Sequence, residues 1–270
     1  MVLILKDLGV KRDWGYTSYY VGVTKAVIKR IHPDAVIIDI THGIEPFNVR
    51  MAMHVLYRAS KDFLEGTVFL AVVDHGVGTA RKSIVMRTKN NMFFVGPDNG
   101  IFTLVAEEYG VKEIREITNR KLYYKKDPSF TFHGRDIFAP AAAHLDKGTP
   151  MESLGTRLMS YEVLKYKRAK IDGKRIVGEV AFFDSFGNIE TNIPFQFFMD
   201  MGIDLDDVLT LRVESKSFKV PFVRAYGDVS EGELLIHSDS SGFLEIAMNQ
   251  GSAREYLKVE QGSEVILEKE

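Results

Sequence analysis

Residues 67–87 read TVFLAVVDHGVGTARKSIVMR, and the order of events in this stretch decides how the first half of the chain is built. An apolar run, 67–73, ends at Asp74 with no alternation of polar residues. Such a run predicts a strand covered on both faces. Gly76 and Gly78 follow, then Arg81, then a second apolar run, SIVMR at 83–87, which predicts another strand. A phosphate-cradling loop needs G-x-x-x-x-G-K-[ST], or G-x-G-x-x-G opening a helix. Neither is present, because Gly78 leads into a strand. The stretch is therefore strand, loop, strand, with a carboxylate at one end of the loop and a guanidinium at the other. A tight turn and a catalytic loop both remain open for it.

Working outward, the first half alternates strand and helix signals. Short apolar runs at 2–5, 35–39 and 92–95 join those at 67–73 and 83–87 as predicted strands. Helical patterns fall at about 18–31, 49–60, 101–109 and 136–146. This alternation predicts an α/β layered domain with a mainly parallel sheet over 1–163. From Lys174 onward the pattern changes to RIVGEVAFF, NIETNI, VLTLRV, FKVPFV, ELLIHS, GFLEIAM and SEVILE, separated by Gly, Asp or Ser. Short strands at such spacing predict a β-barrel domain over 174–270, with a short helix near 252–258. The polar stretch LKYKRAKIDGKR, 164–175, marks the boundary.

Composition narrows the function classes. The chain has 270 residues, 45% apolar and 27% charged, the profile of a globular protein with a sizeable core. A formal net charge of −2 gives no electrostatic reason to expect nucleic acid or an anionic membrane as partner. The sequence contains no cysteine, which excludes disulfides, iron–sulfur clusters and cysteine-ligated zinc. The opening MVLILKDLG is too short in its apolar part for a signal peptide, and no apolar stretch approaches the roughly 20 residues of a membrane helix. The expected location is the cytoplasm.

Four clusters carry polar chemistry at strand ends or turns. Ligands bind at such strand ends in open α/β sheets. Asp7 closes the first strand ahead of Gly9; alone it reads first as a turn residue bonding its own backbone, with a carboxylate for ribose hydroxyls as the functional alternative. Asp74 and Arg81 flank the opening loop, where an exposed ion pair would contribute little. In TFHGRDIFAPAAAHL, 131–145, His133 and Gly134 precede a helix whose start offers unpaired N–H groups. His75, His133 and His144 lack the H-x-x-x-H or H-E-x-x-H spacing of a metal site, so no metal is expected. In the second half, FFDSFGN gathers Asp184, Phe186 and Asn188, and HSDSSGFLEIAMN carries Ser240 and Ser241. On their own both read as β-turns.

Taken together these segments resemble the S-adenosylmethionine (SAM) hydroxide adenosyltransferases, or SAM hydrolases, relatives of the fluorinases and chlorinases. The resemblance rests on KDLG, YVGVTKAVI, DITHGIEPFNV, GTVFLAVVDHGVGTAR, VGPDNGIFT, TFHGRDIFAPAAAHL, DSFGN and SGFLEIAMN, in family order from Asp7 to Asn249. It implies an N-terminal α/β domain, a C-terminal β-barrel and a homotrimer with SAM held between subunits. It implies Asp74, Arg81 and His133 as the catalytic set acting on water, with the Gly134 N–H on the same oxygen. Asp7 would bind the ribose, Phe47 line the pocket, Asp184 bind the methionine amine, and Ser240, with Ser241 beside it, the carboxylate. Phe186, Asn188 and Tyr226 would surround the adenine of a neighbour's ligand. Two positions depart from the family pattern: Lys6 and Leu8 stand where Thr or Ser and Phe are usual, and His75 stands in place of Pro.

The implied reaction is cleavage of SAM to adenosine and L-methionine by water or hydroxide at ribose C5′, with SAM as substrate and no cofactor. Halogenases of this group carry Tyr followed by Ser or Gly at the position of His133-Gly134, and lack the Asp at 74. Two other readings stand beside hydrolysis: a SAM-dependent halogenase, and a non-catalytic adenosine or SAM sensor.

Overall fold

The computed structural model describes the backbone of residues 2–7 and all of residues 19–269. The chain forms two compact units, Met1–Leu164 and Lys165–Glu270. The first is built on a six-stranded sheet of β1 (Val2–Asp7), β2 (Ile37–Thr41), β3 (Val68–Val73), β4 (Ser83–Thr88), β5 (Phe93–Pro97) and β6 (Val111–Glu116), in the order β2-β1-β3-β5-β4-β6. Strands β2, β1, β3 and β5 run parallel, while β4 is antiparallel to both β5 and β6.

The sheet is therefore mixed, and the mainly parallel sheet that the sequence predicts is borne out in part: the β2, β1, β3 and β5 pairings are parallel and the two pairings of β4 are not. The spacing of β3 and β4 explains the difference. A parallel return needs a crossover of about a dozen or more residues. Only residues 74–82 separate the two strands, so β4 starts from the edge where β3 ends. Strand β6, VKEIRE, is missing from the sequence reading altogether. It lies at the sheet edge with only Ile114 buried, so it carries no apolar run to read.

Strand β3 is apolar at every position because both of its faces are covered. Val68, Leu70 and Val72 share a core with Val27 and Ile28 of α1 (Tyr19–Ile31) and with Ala139 and Ala142 of α4 (Ala139–Asp146). Phe69, Ala71 and Val73 share another with Ala52 and Leu56 of α2 (Val49–Ser60) and Val105 of α3 (Thr103–Tyr109). Phe69 stacks on Phe94 with ring centroids 4.7 Å apart, and both are fully buried. Truncating either to alanine is expected to cost about 3–5 kcal/mol.

The second unit is an eight-stranded antiparallel sheet. Its strands are β7 (Lys170–Asp172), β8 (Arg175–Phe183), β9 (Ile189–Pro194), β10 (Val208–Val213), β11 (Lys216–Pro221), β12 (Leu234–Ser238), β13 (Phe243–Met248) and β14 (Glu264–Lys269). The order is β11-β10-β14-β8-β9-β13-β12, with β7 paired to β8. A bridge between Phe222 and Ile236 joins the two ends, so the sheet is nearly closed into a barrel. Alternate residues such as Leu209, Leu211, Leu244 and Ile246 fill its core. Short helices α5 (Gln196–Asp200) and α6 (Ala253–Leu257) interrupt the strands. Strand β7 lies within the stretch that the sequence reads as a linker; its three residues are exposed.

Candidate active site

In the first unit, polar groups collect where the parallel strands end. Asp7 closes β1 opposite Val73 of β3, so its backbone lies beside that of Asp74 at the same sheet edge. The Asp7 side chain lies outside the described residues. Ser83, at the start of antiparallel β4, pairs with Pro97 at the end of β5 and so reaches this edge too. Asn99 donates to the Val73 carbonyl at 2.7 Å and ties the ends of β3 and β5 together.

The β3–β4 loop brings Asp74 and Arg81 into a two-pronged ion pair. Arg81 Nε donates to Asp74 Oδ1 at 2.9 Å, and Nη2 donates to Oδ2. The side chains are 1% and 7% exposed, so this is a buried pair and not the surface contact of a simple turn. Removing one partner of such a pair costs about 3–5 kcal/mol. Gly78 makes the loop's approach possible. Its φ is +76°, and an added Cβ would lie 2.7 Å from the Phe130 carbonyl oxygen. The loop is thereby pressed against the segment that carries His133.

Arg81 Nη2 also lies 3.2 Å from His133 Nδ1. Its remaining group, Nη1, donates to the Lys82 carbonyl at 2.9 Å and to Ser83 Oγ at 3.0 Å. A guanidinium has five N–H groups and no acceptor. All five therefore face protein acceptors, and His133 Nδ1 must be one of them. The imidazole then carries its proton on Nε2 when neutral. Burial, and next the Arg81 charge, hold His133 below its ordinary pKa, against the opposing pull of Asp74 and Asp136.

His133 opens a wide π-helical turn, Gly134–Phe138, that runs into α4. Turns of this kind recur at functional sites. Asp136 anchors it: its carboxylate accepts the Ser129 N–H at 2.8 Å and both prongs of Arg135, at 2.6 and 2.9 Å. Gly134 is buried in the first part of the turn, beside His133. The Arg81 guanidinium also sits over the Phe138 ring, 5.3 Å from its centroid. Asp136, Ser83 and Phe138 all support the cluster, and the sequence reading names none of them in that role. Asp136 and Phe138 lie within the TFHGRDIF segment, but their partners depend on the fold.

Phe47 lies in the connection after β2, one residue before the Asn48 cap of α2. It is 49% exposed, with a left-handed backbone at φ +68°. A bulky residue in that region costs roughly 1–3 kcal/mol and marks a place where function is worth seeking. Asn48 Oδ1 accepts the Met51 N–H at 2.8 Å and contributes about 1 kcal/mol to the helix start.

In the second unit, Phe186, Asn188 and Tyr226 line one pocket of about 440 Å³, together with Met248, Gln250 and Gly251. Asp184 holds two of these residues in place: Oδ1 accepts the N–H groups of Phe186 at 2.9 Å and Asn188 at 2.8 Å, and Oδ2 accepts Asn188 Nδ2 at 3.0 Å. Gly187 turns the chain at φ +83° with its Cα close against Ser252, where an added Cβ would meet the hydroxyl at 2.1 Å. That contact sets the 184–188 turn beside Gly251. Tyr226 OH donates to Glu245 Oε1 at 2.9 Å, and His237 Nε2 lies 2.9 Å from the same oxygen. The sequence reading gives Glu245 and His237 no role, since only the register of β12 against β13 brings them together. Ser240 and Ser241 stand apart, in the β12–β13 turn that Asp239 holds through the N–H groups of Ser241 and Phe243, both at 2.8 Å.

Residues 10–155 match the SAM hydroxide adenosyltransferase N-terminal domain, and residues 178–266 the C-terminal domain of the same family. The α/β unit and the nearly closed β-sheet unit thus coincide with the two domains of one known family. The chain belongs to the SAM hydroxide adenosyltransferase family. It is 36% identical to a Thermus thermophilus (R)-S-adenosyl-L-methionine hydrolase, over 94% of this chain and 96% of that protein. A fluorinase from Actinoplanes is 28% identical, over 88% and 89% of the two chains. The crystal structure of an uncharacterized conserved protein from Thermotoga maritima superposes with a TM-score of 0.93 at 60% identity, covering 100% of both chains.

Proposed function

We propose that this protein hydrolyses SAM to adenosine and L-methionine. The observation that carries the reading is the joining of Asp74, Arg81 and His133 by hydrogen bonds at one sheet edge, in a chain of this family. In SAM the ribose C5′ is bonded to a cationic sulfur. Attack by oxygen forms the O–C5′ bond as the C5′–S bond breaks, and the electron pair leaves on a neutral thioether that needs no proton. The demand falls on the nucleophile, since free water has a pKa of about 15.7.

The geometry favours a division of labour. Arg81 spends its N–H groups within the protein, so it acts through its field and through the tautomer it imposes on His133. His133 Nε2–H and the Gly134 N–H would hold the oxygen, and donors of this kind favour hydroxide character. The departing water proton needs an acceptor. In this cluster the Asp74 carboxylate fits, because each of its oxygens keeps a lone pair outside the Arg81 fork. The Phe186, Asn188 and Tyr226 pocket would take the adenine. Asp7 and Phe47 would contact ribose and pocket wall, and Asp184, Ser240 and Ser241 the methionine end. The set would be completed by chains associating as a homotrimer, with SAM as substrate and no cofactor.

Pure protein incubated with SAM should yield adenosine and methionine by mass, in chloride-containing buffer and with a chelator present, from a species of trimer mass by light scattering. Formation of 5′-chloro-adenosine would establish a halogenase. Tight SAM binding with no product over hours would establish a sensor.

A further inference from the structure

We infer that the buried Glu245–His237 pair is a positioning device that fixes which atom of Asn188 faces the base pocket, and so makes the pocket select a purine bearing a 6-amino group. This rests on the proposed reading of the pocket as the adenine site. His237, Glu245 and Glu190 form a row across β12, β13 and β9, with Glu245 directly opposite both of the others. Glu245 is 4% exposed. It shares a strand face with Phe243 and Ala247, opposite Leu244 and Ile246, which fill the barrel core. A buried acid there has to be satisfied by neighbours, and its neighbours lead to the pocket.

The hydrogen-bond directions follow one from another. His237 Nδ1 lies 3.0 Å from the Ser238 carbonyl, which only accepts, so that nitrogen carries a proton. Its Nε2 faces Glu245 Oε1 at 2.9 Å, and a carboxylate likewise accepts, which makes the ring the doubly protonated form. Tyr226 OH gives its single proton to the same Oε1 at 2.9 Å. The phenol oxygen can then only accept on its other side, where Asn188 Nδ2 lies 3.4 Å away. Asn188 Nδ2 also donates to Asp184 Oδ2 at 3.0 Å. Both amide protons are thus committed, to a carboxylate at one end and to a carboxylate-oriented phenol at the other.

Asn188 is 4% exposed and lines the pocket. Among the described residues no hydrogen bond uses its Oδ1. The atom left to meet a base is therefore an acceptor, held against flipping. A 6-amino purine offers an N–H there. A 6-oxo purine offers a second acceptor, and two facing acceptors leave both groups unsatisfied. Glu245 and His237 touch no ligand in this scheme; they act through Tyr226.

Calorimetry with adenosine and inosine, alongside SAM hydrolysis on the same preparations, tests this. The wild-type protein should bind adenosine about tenfold to a hundredfold more tightly than inosine. Glu245→Leu should lose most of that ratio, with KM for SAM rising while kcat holds. Glu245→Gln should retain it, because the amide oxygen can still accept from Tyr226. Tyr226→Phe gives a second route should Glu245→Leu fail to fold, and should also narrow the ratio, leaving Asn188 held by Asp184 alone. A folded Tyr226→Phe or Glu245→Leu protein with the full wild-type ratio overturns the inference, as does a wild-type protein that hydrolyses SAM without base preference. A wild-type protein that neither cleaves SAM nor binds either nucleoside removes the proposed function and this inference together.

Discussion

The two units each hold a histidine in a polar cluster, and the two histidines are driven in opposite directions. Burial pushes both His133 and His237 toward the neutral form. Beside His133 the next influence is the Arg81 guanidinium, and the group stays below its ordinary value. Beside His237 the hydrogen bond and charge of Glu245 outweigh burial and lift it above that value. Glu245 answers in kind: burial would raise it, but its bonds to His237 and Tyr226 hold it below the usual carboxylate range. Burial being common to both, the partner decides protonation. One cluster keeps a neutral N–H donor at a sheet edge; the other keeps an ion pair within a barrel wall.

Removing the partner is the most severe way to break this comparison. Arg81→Ala should lower single-turnover hydrolysis about 10²–10³-fold while leaving the SAM dissociation constant little changed, since the lost stabilisation belongs to the developing oxygen anion. It should also cost about 3–5 kcal/mol in denaturant unfolding, because the Asp74 carboxylate is left buried without its cation. The double variant Asp74→Asn with Arg81→Gln separates the two effects. Stability should largely return and activity should not. A large loss of SAM affinity with an unchanged single-turnover rate would assign Arg81 to binding or structure instead.

The same contrast explains what the sequence could and could not convey. The apolar run at 67–73 reads directly as a strand because both its faces are buried. The Asp74, Arg81 and His133 set is legible through resemblance, since its members lie in long local motifs. Its hydrogen-bond directions are not, because they depend on Gly78 pressing one loop against another. Glu245 and His237 sit in FLEIAM and LLIHS as ordinary strand residues; their meeting is a matter of cross-strand register. Charged edge strand β6 has almost no buried face, so it leaves no periodic signal.

Titration should pull the two units apart, a smaller effect of opposite sign in each. His54 in α2 is buried at 3% exposure. Burial first, then Arg58 and Arg50, lowers its pKa to about 3. Its folded value lies below the unfolded one, so the unfolded chain takes up the proton first. Stability of the first unit is then lost as pH falls from about 6.5 toward 3, by roughly 2 kcal/mol at pH 5 from this group alone. His237 has the reverse sign. Its stabilising contribution is complete below the unfolded value and is lost as pH rises through the raised folded value. Hydrogen exchange at pH 8 and pH 5.5 should therefore show protection falling in β3 and rising in β12 and β13 on acidification. His54→Gln should flatten the response of β3. Parallel changes in both units would mean that other groups govern the pH dependence.

The smallest expected effect concerns His75, which stands where the family pattern has proline. It is exposed, directly after Asp74, at the start of the turn 75–78. The loop is already closed by its own bonds: Thr79 N–H donates to the Gly76 carbonyl at 3.1 Å, and Thr79 Oγ1 donates to the same oxygen at 2.6 Å. Among the described residues no backbone hydrogen bond uses the His75 N–H, so proline there removes none. Proline also disfavours helical backbone in the residue before it, and Asp74, which directly follows strand β3, lies outside any helix. His75→Pro should thus act on the unfolded chain, narrowing its conformations and adding about 0.4–1 kcal/mol of stability. Turnover should be unchanged, because the Asp74–Arg81 fork is built from residues on either side of the turn. Chemical denaturation and steady-state hydrolysis on the one variant check both halves. Lower stability would show that the native backbone at position 75 does not fit proline. Preserved stability with reduced turnover would show that the imidazole itself serves the reaction, and would add a further histidine to the comparison between the units.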